Sequence, residues 1–372
     1  MPTWSLLFLL GCLTPPVSAS DTSRADSHTA GRVAHAPALP FVLRGGTVIG
    51  PAGAIVEDVE VRAGSIVRVG PGASPSTRVL DVTGRWIVPA FIDSHVHLAY
   101  LPEGEALADN GIAGAVDMAA PESFLAESHA PLRVLASGPM VTAVGGYPTQ
   151  SWGRNGYGLE CADADAAVAA VDRLVAEGAK LIKLPVTGDG ADQLDDGVLL
   201  AAVTEAHRLG VKVASHALGD DDAARAAAAG VDILAHTPTE ALSDSTISAW
   251  AGRTVVSTLA AFGDASTTRA NLGSLQAGGA RVLYGTDFGN AQQAGINADE
   301  VRGLQGAGLD GSAILAAGTW DAATYWGFED LGTIDVGKAA SFLVLDADPR
   351  LDPSVLAAPR WVFIDGRARA AE

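Results

Sequence analysis

The chain is short of positive charge, of cysteine and of long apolar runs, and each shortage removes a class of function. Lys and Arg together number 24 against 43 Asp and Glu, a formal net charge of −19. That excess of acid argues against non-specific nucleic-acid binding and against adhesion to anionic lipid. Two cysteines, Cys12 and Cys161, build no disulfide framework. The most apolar stretch, Leu6-Leu7-Phe8-Leu9-Leu10-Gly11-Cys12-Leu13, falls well short of the roughly 20 residues of a membrane-spanning helix. The double glycine Gly145-Gly146 has no P-loop pattern around it, so it does not indicate phosphate binding. What the chain does have is apolar mass. Hydrophobic residues make up 48% of 372, enough for a large core and one or two domains.

Five separated segments each close a β-type apolar run on a side chain that can bind metal. They are Ile92-Asp93-Ser94-His95-Val96-His97, Leu181-Ile182-Lys183, Val211-Lys212-Val213-Ala214-Ser215-His216, Asp232-Ile233-Leu234-Ala235-His236 and Val282-Leu283-Tyr284-Gly285-Thr286-Asp287. The C-terminal ends of several different strands are where a (β/α)8 barrel builds its active site. His95 and His97 lie two apart, so on a strand both imidazoles face one side and can ligate one ion. His216 and His236 follow consecutive strands with a helix between them. Singly, each reads as a satisfied core histidine; their matched placement favours ligation. Asp287 reads either as a helix N-cap or as the carboxylate a hydrolytic centre needs, able to take a proton from water and return it to a leaving group. His28, His35, His129 and His207 lack this placement and read as linker, loop and helix-surface residues.

The residues carry a family resemblance. Pro89-Ala90-Phe91-Ile92-Asp93-Ser94-His95-Val96-His97, Gly178-Ala179-Lys180-Leu181-Ile182-Lys183 and Tyr284-Gly285-Thr286-Asp287-Phe288-Gly289 resemble the amidohydrolase superfamily. The likeness is greatest to imidazolonepropionase-related prolidase and carboxypeptidase-like enzymes with a carboxylated lysine. Leu331-Gly332-Thr333-Ile334-Asp335-Val336-Gly337-Lys338 matches the family's return to its small β domain. In one departure, Gly145-Gly146-Tyr147-Pro148 stands where many relatives have Gly-Gly-His.

The resemblance implies an α/β chain: a (β/α)8 TIM-like barrel over residues 89–336, and a small β-sandwich from both ends, 41–88 and 337–372. Strand candidates at 41–44, 59–62, 66–69 and 79–82, then 341–346 and 361–366, suit that arrangement. Barrel helices are expected at 163–177, 197–209 and 221–229, with further strands at 133–136 and 254–259. The implied site holds two divalent metal ions, with zinc the default. His95, His97 and Asp287 hold one, His216 and His236 the other, and Lys183 bridges them as a carbamate formed with carbon dioxide. The bland reading of Lys183 is an ion-paired lysine at a strand end. Tyr147 and Trp152 are the candidate substrate contacts, although Trp152 fits packing on the barrel rim equally well.

The implied activity is hydrolysis of a carbon–nitrogen bond in a small molecule, of amide, dipeptide or N-acyl amino acid type, by a metal-bridged hydroxide. A one-metal deaminase or cyclic-amide hydrolase, a lactone or phosphoester hydrolase, and a non-enzymatic binding protein are the rivals. A binding protein is expected to have lost ligands, and all six positions are filled.

The amino terminus reads as targeting sequence. Val17-Ser18-Ala19 offers a small-residue cleavage site that makes 1–19 a signal peptide and 20–40 a linker. Leu9-Leu10-Gly11-Cys12 equally matches a bacterial lipobox, in which Cys12 is acylated as a lipid anchor. Either route exports the protein to the periplasm or cell envelope. Fractionation with N-terminal mass analysis is expected to find the mature chain starting at Ser20 or at an acylated Cys12. An intact Met1 on cytoplasmic protein excludes export.

Overall fold

The computed structural model describes residues 39–72, 77–187 and 192–369. The signal-peptide and lipobox segment, Cys12 included, and nearly all of the linker lie outside these residues, as do His28 and His35.

Residues 41–89 and 342–369 meet in one eight-stranded sheet. Phe41–Gly50 pairs antiparallel with Gly53–Arg62 along its whole length. The register shifts between Leu43 and Gly46, where Gly45 takes a φ of +73°. This bend lets the other edge of the strand serve two partners, Arg78–Asp81 before it and Trp86–Pro89 after it. Trp86–Pro89 then pairs antiparallel with Phe342–Leu345, which pairs in turn with Trp361–Ile364. Alternate side chains of these strands bury Phe41, Leu43, Val59, Ile87, Phe342 and Phe363 together. The Phe363 ring lies 5.0 Å from that of Phe41 and 5.1 Å from that of Phe342. The first strand therefore runs well past the expected 41–44, because the bend lets it continue.

Between these ends the chain alternates strand and helix. Phe91–Val96, Ile112–Asp117 and Arg133–Ala136 form a parallel three-stranded sheet. Leu181–Pro185, Lys212–His216, Ile233–Leu234, Thr254–Val256 and Arg281–Leu283 form a parallel five-stranded sheet in chain order. Backbone hydrogen bonds join the two. Lys180 N–H donates to Ala136 O at 2.9 Å on one side, and Ser94 N–H to Tyr284 O at 2.9 Å on the other. Residue-by-residue burial of Phe91–Val96 and Leu181–Pro185 on both faces is what parallel strands covered by helices require.

The helices obey their sequence signals. Ala164–Ala176 starts at Asp163, whose carboxylate accepts from Ala166 N–H, and buries Ala167, Ala170, Val171 and Leu174 at helical spacing. Asp196–Arg208 and Asp220–Ala228 fall within a residue of the expected helices. The strand expected at 254–259 stops at Val256, because Thr258 adopts a φ of +43° and turns the chain. An unexpected parallel pair, Met140–Ala143 with Gly158–Cys161, pins both ends of the loop that carries Tyr147 and Trp152.

Candidate metal centre

Three of the expected ligands converge at the junction of the first and last of these parallel strands. His95 Nε2 lies 3.3 Å from His97 Nε2 and 3.5 Å from Asp287 Oδ1, and His97 Nε2 lies 3.1 Å from the same oxygen. Donor atoms about 2.0–2.1 Å from a tetrahedral zinc stand roughly 3.3 Å apart. The triangle therefore fits one face of such a coordination shell. All three side chains are buried.

The local backbone explains how they are brought together. Asp93 is fully buried and its carboxylate accepts three hydrogen bonds: from His95 N–H at 3.1 Å, Thr286 N–H at 3.0 Å and Thr286 Oγ1 at 2.5 Å. This ties the His-x-His strand to the segment ending in Asp287. Asp287 N–H donates to His95 O at 2.9 Å, and His97 N–H to Phe288 O at 2.6 Å. Asp287 itself takes a left-handed φ of +56°, which turns its carboxylate back over the histidines. Two glycines allow this close approach. A Cβ on Gly285 would overlap Val256 Cγ1, and one on Gly289 would stand 2.7 Å from the Cβ of His97.

Two of the imidazoles are oriented from behind by hydrogen bonds. His95 Nδ1 lies 2.8 Å from Ala235 O; a carbonyl only accepts, so Nδ1 carries the proton and Nε2 keeps its lone pair for a metal. His236, the next residue after Ala235, has Nδ1 at 3.1 Å from Thr258 Oγ1. The His236 ring lies 4.4 Å from that of His95 and 4.8 Å from that of His216. Burial is the main force on all three. It holds His95 and His236 well below the ordinary histidine pKa and lowers His216 to about 3. All three stay neutral, as metal-ligating imidazoles must.

Lys183 is buried completely, and its Nζ has no hydrogen-bond partner among the described residues. Burial lowers its pKa to about 7, against the pull of Asp287 and Asp117 in the opposite direction. An orphaned amine in such a place is rare, since buried lysines are normally paired. It shares a cavity of about 220 Å³ with His97, His216, His236 and Asp287. The remaining wall is Met140, Tyr147, Trp152, Ala261, Phe262 and Asn290. The Tyr147 ring stacks on His216 at 4.9 Å, and its hydroxyl accepts from Trp152 Nε1 at 2.9 Å. Trp152 both packs and lines the cavity: its ring lies 5.1 Å from that of His97 and 5.3 Å from that of Tyr157.

Five of the six sequence-derived ligand candidates, His97, Lys183, His216, His236 and Asp287, line one cavity, and His95 lies behind them in contact with His97 and Asp287. His95, His97 and Asp287 form the close triad; His216 and His236 stand beside it as a pair of rings. His207 is spent on Asp232 at 2.8 Å, and His129 stacks on Phe124 at 4.0 Å, away from the centre. A larger cleft of about 430 Å³ runs past His129 and Phe124 but includes none of the six. Four contributors escaped the sequence reading: Asp93, Thr258, Asn290 and Asp117. Asn290 Nδ2 donates to Asp287 Oδ1 at 3.1 Å. Asp117 accepts from Leu98 N–H at 2.7 Å and Ala119 N–H at 3.0 Å, fixing the backbone beyond His97. An acid closing the wholly apolar run Ile112–Asp117 was the available signal.

The family model described as Amidohydrolase family matches residues 86–369. The chain belongs to the amidohydrolase family. An uncharacterised protein of Mycobacterium tuberculosis is 29% identical over 326 residues, covering 76% of this amidohydrolase and 85% of that protein. Dihydropyrimidinase 1 of Caenorhabditis elegans is 40% identical over 77 residues, 20% of this chain and 16% of its own. The crystal structure of a Xaa-Pro dipeptidase with bound methionine in the active site superposes with a TM-score of 0.76 at 20% identity, covering 89% of this chain and all (100%) of that one. That likeness concerns the fold, which is TIM-barrel-like. The family resemblance read from the three motifs is therefore correct.

Asp93 is a positioning residue for this amidohydrolase centre. Asp93→Ala is expected to lower metal affinity by about 10–100-fold, as loss of groups that orient ligands typically does. Metal titration of folded protein, with circular dichroism as the folding control, measures this; unchanged affinity removes Asp93 from the site's support.

Proposed function

We propose that this protein is an exported, two-metal hydrolase of carbon–nitrogen amide bonds. In this reading His95, His97 and Asp287 hold one ion, His216 and His236 the second, and carboxylated Lys183 bridges them. The observation that carries it is the orphaned Lys183 amine, buried among imidazoles and a carboxylate. A neutral amine attacks carbon dioxide, forms an N–C bond and releases one proton. The product is an anionic carbamate with two oxygens where an ammonium would repel cations. A one-metal deaminase has no use for that bridge.

Zinc suits the nitrogen and oxygen donors and the 3.1–3.5 Å edges of the triad. A divalent ion held there lowers the pKa of water towards neutrality and polarises a carbonyl. The chain's own part is proton handling and orientation. Asp287 takes the proton of the attacking water on its carboxylate and returns it to the departing nitrogen. Asn290 holds Oδ1 of that carboxylate in place, and Ala235 O holds His95 in the tautomer that leaves Nε2 free. Tyr147 and Trp152 wall the cavity against solvent and contact the acyl group. We further infer that the eight parallel strands close into a (β/α)8 barrel over 89–336, with residues 41–88 and 337–372 as its β-sandwich companion. Dihydropyrimidinase and the Xaa-Pro dipeptidase are by name enzymes of C–N bonds, which supports the reaction class. Export rests on the leader pattern at 1–19, with Cys12 either acylated or lost.

Two variants test the chemistry. Asp287→Asn keeps shape and one ligand oxygen but cannot take a proton; activity is expected to fall about 10²–10⁴-fold with metal retained. Near-normal turnover of metal-replete protein rules out the proton role. Lys183→Met fills the space without bridging, and elemental analysis is expected to find one or both ions lost from folded protein. Two ions and full activity in Lys183→Met refute the bridge and favour the one-metal alternative.

A further inference from the structure

We propose that the cavity selects an uncharged amide, and that compounds bearing a free carboxylate on the leaving side, such as dipeptides and N-acyl amino acids, are disfavoured. This rests on the amide-hydrolase reading and narrows it to a substrate class. Beyond Lys183 and the ligand side chains, the cavity wall is Met140, Tyr147, Trp152, Ala261, Phe262 and Asn290, with no cation among them. Its polar groups are neutral and partly engaged. Trp152 Nε1 donates to the Tyr147 hydroxyl, and Asn290 Nδ2 donates to Asp287. Lys183 is committed to the ions.

The surroundings point the same way. Among the described residues, the segments beyond the parallel strand ends, with the loop that carries Tyr147 and Trp152, are 97–103, 118–132, 144–157, 186–187, 192–195, 217–219, 235–243, 257–265 and 284–297. Together they contain one arginine, no lysine and eight Asp or Glu, Asp287 among them. The arginine, Arg154, is exposed, and its Nη2 donates to Gln150 O at 3.0 Å. Carboxylates flank the base of the loop that carries Tyr147 and Trp152. Glu160 Oε1 accepts from Gly145 N–H at 3.0 Å, and a Cβ on Gly145 would stand 3.3 Å from Asp192 Oδ2. A carboxylate on the leaving side, held away from the ions, must therefore approach past acidic segments and be desolvated against side chains that include no cation. Both effects oppose it: like charge at the rim slows encounter, and an unpaired buried charge is costly. Replacing the carboxylate with a neutral amide removes both penalties and leaves the aromatic contacts intact.

The test compares N-phenylacetylglycine with its N-methylamide on zinc-loaded mature protein, following phenylacetate release. The methylamide is expected to have kcat/KM about 100-fold higher or more, the scale on which an unpaired buried charge acts. In Arg154→Met protein that ratio is expected to stay within about threefold of wild type. Equal or better hydrolysis of the acid overturns the proposal. So does selective loss of acid turnover in Arg154→Met, which makes Arg154 a carboxylate reader. If neither compound is cleaved, the amide-hydrolase reading fails. Calorimetric titration with the same pair then decides selectivity alone: tighter binding of the methylamide supports it, and tighter binding of the acid overturns it.

Discussion

Asp93 has no access to solvent, and its carboxylate spends both oxygens on groups from opposite ends of the strand series. Burial raises its pKa to about 7 even though three donors pull the other way, so desolvation outweighs them. A charge-bearing group in that position is tolerable only when every lone pair facing the protein is used. The strand bearing His95 and His97 and the segment bearing Asp287 are thereby fixed to one atom group. The left-handed turn at Asp287 and the glycines at 285 and 289 all follow from how closely those two segments must pass.

The same burial sets the character of the cavity. It keeps three imidazoles neutral and loosens the hold of the Lys183 amine on its proton, leaving imidazole lone pairs available. Such a cluster has nothing to gain from solvent and much to gain from cations. The aromatic side chains of the loop at 144–157 complete the arrangement by covering it from above, with Tyr147 lying flat on His216.

What could be read in the sequence was what periodicity carries. His95 and His97 sit two apart on a strand, and His216, His236, Lys183 and Asp287 each end or follow an apolar run; these are local signals, and His95, His97 and Asp287 form a close triad while Lys183, His216 and His236 line the cavity beside it. The helices were legible because each opens on a capping or acidic residue and repeats alanine and leucine at helical spacing. Asp93 was not, since its partner Thr286 is 193 residues away and an acid inside a strand looks like a solvent-facing one. The carbonyl of Ala235 that orients His95 carries no side-chain signature at all. The pairing of Met140–Ala143 with Gly158–Cys161 was hidden for a related reason: each run is four residues long, too short for a pattern.

The join between the end sheet and the first ligand strand has a consequence for biosynthesis. Trp86–Pro89 runs into Phe91–Val96 with a single residue between them, and Ala90 N–H donates to Ser341 O at 3.1 Å. The strand leading into His95 is thus held by Phe342–Leu345, which a ribosome releases after every candidate ligand. A nascent chain carries both histidines for most of its synthesis without the neighbours that fix them. The support of the centre includes a strand made after Asp287, so a chain cut short after Asp287 would possess every candidate ligand and still lack the strand that steadies the first two.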